Sequence, residues 1–170
     1  MKKFVLVLSL IMLLGMSVVN AEIREEVDQV TGAKRYTSSN HSTSQQTIDL
    51  RKIVEDHRIL YGLLVSEDAV KTVKFSLNNG EIKIDNKLVS PIIIAEISST
   101  PIANSDLSSI RLNAVITPEQ IEAIRLANNV TFTFHKNDGT SSVIVLPDNV
   151  LAEWKKLIGT DKSVQAHVHH

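Results

Sequence analysis

Cysteine is absent from the 170 residues. That excludes disulfides, thiolate metal sites, a cysteine nucleophile and lipid attachment at a lipobox thiol. Aromatic residues make up only 4% of the chain. The core must therefore be mainly aliphatic, and few rings remain for the stacking platforms that single-stranded nucleic acids use. Positive charge is not in excess either, with 18 Lys and Arg against 19 Asp and Glu. No basic stripe stands out, so a nucleic-acid partner is not expected. The chain also lacks a Gly-rich phosphate loop, a Gly-x-Ser-x-Gly elbow and a His-Glu-x-x-His pair. No catalytic residue and no cofactor are assigned on motif grounds. No internal repeat at a fixed period is present.

What is present begins with Met1-Lys2-Lys3, a short positive segment, followed by an apolar run from Phe4 to Leu14 broken only by Ser9. Val19-Asn20-Ala21 places small residues at the two cleavage-site positions. Residues 1–21 read as a secretory signal peptide cut between Ala21 and Glu22. The run is short for a membrane span, which needs about 20 residues. No second segment is long and apolar enough, so the mature chain is expected to carry no span and to be exported, periplasmic or secreted. Loss of Lys2 and Lys3, with no acid, takes the formal charge from −1 to −3. An exported chain without disulfides suits a bacterial periplasm and must be held together by its core and sheet.

The clearest passage runs from Ile110 to Ile158. Ile110, Leu112, Ala114 and Ile116 alternate with other residues at the period of a strand. Thr117-Pro118-Glu119-Gln120 then has the form of a capping box with proline at the first helical position, and Ile116 and Ile121 stand at staple spacing. A helix is predicted over 118–127, with Ile121, Ile124 and Ala127 or Leu126 as its stripe. Val130, Phe132 and Phe134 alternate again. A two-residue turn at Asp138-Gly139 pairs Phe134 with Val143 and Phe132 with Val145. Asp148 caps a second helix whose stripe is Val150, Leu151, Trp154, Leu157 and Ile158, with Gly159 as its left-handed terminator.

Upstream, Thr31-Gly32 predicts a hairpin over 22–36 that sets Asp28 opposite Arg35 and Val27 opposite Tyr36. Residues 37–47 carry no apolar side chain and read as a loop. Residues 48–65 fit a helical period or two strands turning at Glu55-Asp56. β-Branched residues and Gly62 favour the strands, with Leu50 opposite Tyr61 and Ile48 opposite Leu63. Asn79-Gly80 predicts a hairpin over 73–85 that pairs Leu77 with Ile82 and Phe75 with Ile84. The apolar run from Pro91 to Ile97 suggests a strand buried on both faces, and 98–109 a long polar connection.

These elements predict an α+β fold: an antiparallel sheet of several hairpins with two helices packed on one face. A single domain is expected over 22–160, followed by a tail at 161–170. Candidates for chemistry are few. His57 adjoins Glu55 and Asp56 at a predicted hairpin tip, His135 adjoins a turn, and Glu96 interrupts an apolar strand. For each, solvated surface charge is the simpler explanation. His167, His169 and His170 close the chain at a spacing that suits a soft divalent metal. The expected function is therefore a non-enzymatic, exported interaction module, with an envelope protein or a second copy as partner. The alternatives are a periplasmic metal binder using the histidine tail, or an enzyme whose site assembles only in the fold.

Overall fold

Alternation of apolar and polar residues builds most of the chain into strands. A computed structural model describes residues 21–40, 46–55, 58–77 and 80–159. In chain order these form β1 (Ala21–Val27), β2 (Lys34–Asn40), β3 (Gln46–Glu55), β4 (Arg58–Val70), β5 (Gly80–Ile84), β6 (Lys87–Pro101) and β7 (Leu107–Ile116). Helix α1 (Pro118–Leu126), β8 (Val130–His135), β9 (Ser141–Val145) and helix α2 (Asp148–Gly159) follow. All nine strands join one antiparallel sheet in the order β1-β2-β3-β4-β7-β6-β5-β8-β9. The sheet dominates the fold and is curled.

The curl follows from what α2 touches. Six strand spacings separate β2 from β8 in that order, roughly 29 Å in a flat sheet. Yet α2 lies against β1, β2 and β3, while its Trp154 ring sits 5.9 Å from that of Phe132 on β8. A helix about 10 Å across reaches both ends only if the strands bend round it. Ile48, Leu50, Leu63, Val65, Phe132 and Trp154 accordingly belong to one continuous core.

Both helices form where the sequence predicts, although Asp148 lies in the first turn of α2 and does not precede it as a cap. The Thr117 hydroxyl accepts from the Gln120 amide at 3.3 Å, and the Gln120 side chain accepts from the Thr117 amide at 2.9 Å. Ile121, Ile124 and Ala127 are buried, and Leu126 faces out. The whole predicted stripe of α2 is buried. Gly159, however, is its last helical residue and does not take a left-handed φ. The Lys155 ammonium instead donates to the Ala127 carbonyl at the end of α1, tying the two helices together.

Four turns differ from the sequence-based expectation, and the differences are informative. The first hairpin closes over Asp28–Ala33, so Val27 faces Lys34 and Glu26 faces Arg35. The cause is Asp28, whose carboxylate accepts from the Val30 and Thr31 amides at 2.8 and 2.9 Å. Residues 48–65 are two strands, but Glu55 pairs with Arg58 and Leu50 with Leu63. Both shifts move the register by two, so every side chain keeps its face. At Asp138-Gly139 the loop has three residues: Lys136 pairs with Thr140, and Gly139 takes φ +84°. That is a turn followed by a left-handed glycine. The register moves by one, so Phe132 meets Ile144, and Val143 and Val145 turn outward.

Asn79 lies outside the described residues, but the strand pairs predicted from Asn79-Gly80 do not form: Ile82 pairs with Ser90 and Phe132. Asp85 and Asn86, both at positive φ, make the two-residue turn that joins β5 to β6, as a turn with two left-handed centres requires. Leu77 is exposed and Phe75 bridges to Lys136. Gly80 serves close packing: a Cβ there would lie 2.8 Å from Phe134 Cδ1. Gly80→Ala is expected to destabilise the fold by about 1–3 kcal/mol through overpacking, read from a urea midpoint. A loss as small as that of an ordinary surface substitution would contradict this close approach.

β6 is also not buried on both faces. Ile92 is fully buried, but Ile93 points out and is 57% exposed. A bulge between Ile94 and Glu96 resets the alternation. Residues 98–109 are mostly strand: β6 runs to Pro101 and β7 starts at Leu107, leaving only a tight connection through Asn104 at φ +55°.

The two turn carboxylates have a pH consequence. The Thr31 amide, with that of Val30, holds the exposed Asp28 carboxyl below the ordinary value of 3.8. The Thr140 hydroxyl and amide do the same for Asp138. A lowered folded value means stability that is complete above that ordinary value and lost as pH falls through the lowered one. Asp28→Ala should therefore lower the thermal midpoint more at neutral pH than at a pH below the lowered carboxyl value. An equal loss at both pH values would remove the carboxylate from the explanation.

Candidate functional site: an uncharged strand edge beside a polar clasp

Of the residues singled out from the sequence, His57 and Asp56 lie outside the described residues, as do His167, His169 and His170. Glu55 ends β3 opposite Arg58. His135 ends β8, with Nδ1 2.9 Å from the Ser141 hydroxyl and Nε2 3.9 Å from the Glu81 carboxylate. Glu96 is exposed on β6 and accepts from the Asn113 amide at 3.0 Å. The structure brings His135 and Glu96 to different neighbours and assembles no acid–base pair from them. Ala21 and Glu22, the predicted cleavage pair, lie in β1 opposite Asn40 and Ser39. Among the described residues, no group of three or more His, Asp or Glu side chains is placed to hold a metal ion.

The densest polar cluster is one the motif search misses. Leu63, Val65 and Glu67 share the inward parity of β4, so a carboxylate stands where the pattern calls for an apolar side chain. Glu67 is only 15% exposed and pairs with Lys136, 11% exposed, from the β8–β9 loop. Its other oxygen accepts from the Gln46 amide at 2.8 Å and the Ser142 hydroxyl at 2.5 Å. Each group is thus paired, as charges shielded from water require. The loop after β4 is fastened to the same hairpin. Ser76 donates to the His135 carbonyl, Asn137 donates to the Lys74 carbonyl, and the Asn137 side chain bonds at both Lys74 and Thr72. The cluster is a clasp between β4 and the β8–β9 hairpin, and it holds the curl.

No family profile, curated protein or solved structure matches this chain.

The two ends of the sheet are unlike. The β1 edge carries Arg24, Glu25 and Glu26, the kind of charged border that discourages pairing with another chain. β9 is Ser-Ser-Val-Ile-Val, with no charge at all. Leu146 donates to the Val130 carbonyl and Lys136 to the Thr140 carbonyl. The antiparallel alternation then directs the backbone groups of Ser142 and Ile144 toward β8. Those of Ser141, Val143 and Val145 point away from the sheet, and the two valines are 57% and 55% exposed. Among the described residues no strand lies beyond β9. A polar pocket of about 300 Å³ opens beside this edge, lined by Ser141, Val143, Gln46, Glu67, Asp68 and Lys136.

A second, apolar cleft of about 450 Å³ lies between the ends of β4 and β7 and the two helices. Ile59, Tyr61, Ile116, Ile121 and Ile158 line it, and the paired Glu122 and Arg125 stand at its rim. Its one carboxylate, Glu122, is taken up by Arg125. On the inward face nearby, Lys52 is buried with its ammonium 5.8 Å from the Tyr36 ring centroid, and Tyr61 is its partner across the ladder on the other side. A cation over an aromatic face offsets part of the cost of burial.

Proposed function

We propose that this protein is an exported, non-enzymatic module that binds another protein of the cell envelope by adding a strand of the partner to β9. The observation that supports this reading is the contrast between the two sheet edges: one is blunted by charge, while the other is uncharged, β-branched and turned outward. Main-chain hydrogen bonds give such strand addition its affinity, and alternate side chains give it specificity. The clasp around Glu67 is satisfied within the fold, so it serves the scaffold rather than a reaction. Export rests on the leader-like residues 1–21, and the packing of both helices on the concave side of the sheet belongs to the same proposal.

The test is site-specific photo-crosslinking in the cell that makes the protein. A benzoylphenylalanine at Val143 is expected to give one discrete adduct with a second protein, whose crosslinked peptide is extended in its own sequence. The same probe at Val27, on the charged edge, is expected to give none. Equal labelling from both positions, or none from either, would contradict the reading. A metal-binding role for His167, His169 and His170 predicts instead that truncation after Lys162 abolishes zinc or copper affinity, measured by titration.

A further inference from the structure

The pocket beside β9 narrows the class of partner. Glu67 and Lys136 neutralise one another within it, and Gln46 and Ser142 complete the carboxylate's hydrogen bonds. Asp68 is different. It lines the same pocket from the outward parity of β4, one residue on from Glu67, and makes no hydrogen bond or ion pair among the described residues. The pocket therefore carries one uncompensated negative charge within reach of Ser141 and Val143, two residues whose backbone groups point off the free edge. A volume of about 300 Å³ admits an ammonium or guanidinium group with part of its stem.

We infer that the segment added to β9 is an extended, β-branched stretch carrying a basic side chain, lysine or arginine, which enters this pocket against Asp68. The inference rests on the strand-addition reading above and gives it a chemical identity. A second copy of this chain pairing β9 with β9 fits less well, because β9 carries no base of its own. The strand supplies the affinity, and the charge selects among strands.

Fluorescence polarisation with the purified protein tests this. The probes are fluorescein-labelled hexapeptides of alternating valine and threonine with lysine, norleucine or glutamate at one central position. At low salt the lysine peptide is expected to bind about fivefold more tightly than the glutamate peptide, the scale of an exposed ion pair. Asp68→Asn should abolish that preference. Val143→Pro removes an amide that points off the edge and leaves the β8–β9 ladder intact, so it should weaken all three peptides at least tenfold. Val143→Lys keeps the amide and neutralises the local charge, and should abolish the preference for the lysine peptide even if the proline variant is poorly folded. Equal binding of the three peptides, lost in Val143→Pro, would overturn the charge inference and leave strand addition standing. No binding by any peptide would overturn both, as would a dimer in light scattering that Val143→Lys dissolves.

Discussion

Trp154→Ala is expected to cost about 3–5 kcal/mol of stability, the largest single effect in this fold. The indole is fully buried, packs on Phe132 and lies at the point where α2 meets the far end of the sheet. Its removal leaves a cavity that the curled sheet cannot collapse to fill, since both ends of the curl already rest on the same helix. Trp154→Phe should cost far less, about 1 kcal/mol. It keeps most of the ring, and it removes an indole N–H that is buried without a hydrogen-bond partner. Trp154 is the only tryptophan, so denaturation is best followed by circular dichroism. A similar loss for both variants would mean that α2 is not what the sheet is wrapped around.

The second large effect is expected at the clasp. Glu67→Ala leaves the Lys136 ammonium nearly buried and unpaired, and strips Ser142 and Gln46 of their shared acceptor. A loss of about 3 kcal/mol follows from breaking one side of a shielded ion pair. The paired change Glu67→Met with Lys136→Met should recover all but about 1 kcal/mol, because desolvation of both charges disappears with them. A single substitution that costs no more than a surface ion pair would show that the β8–β9 hairpin is held by its core residues alone. Since the pocket beside β9 contains the clasp, Glu67→Ala should also blunt peptide binding, whereas Asp68→Asn should leave stability within ~0.5 kcal/mol of the parent.

Local signals in the sequence carried the helices almost completely. Thr117, Pro118 and Gln120 form the cap they spell out, and the stripe from Val150 to Ile158 is the buried face of α2. These interactions span three or four residues, so a linear reading captures them. Turns were less legible. The first two hairpins shifted by an even step, which kept Leu50 and Ile48 in the core. At Gly139 an odd step flipped Val143 and Val145 to the outside and so created the exposed edge. Gly80 misled for a different reason: glycine there answers to the Phe134 ring rather than to a turn. The candidate site was almost invisible. Glu67 and Lys136 are 69 residues apart, and nothing local announces that the curl of the sheet brings them together. The one available hint was an acid at the inward parity of β4, after Leu63 and Val65.

Strand addition requires β9 to be an open edge in the free protein, and amide hydrogen exchange resolved by residue measures that directly. The amides of Val143 and Val145 should exchange close to the rate of unstructured chain, while that of Ile144 between them, bonded to β8, is protected by orders of magnitude. Protection of Val143 and Val145 equal to that of Ile144 in the unliganded monomer would show that the edge is already covered, and would contradict strand addition as the way this protein binds.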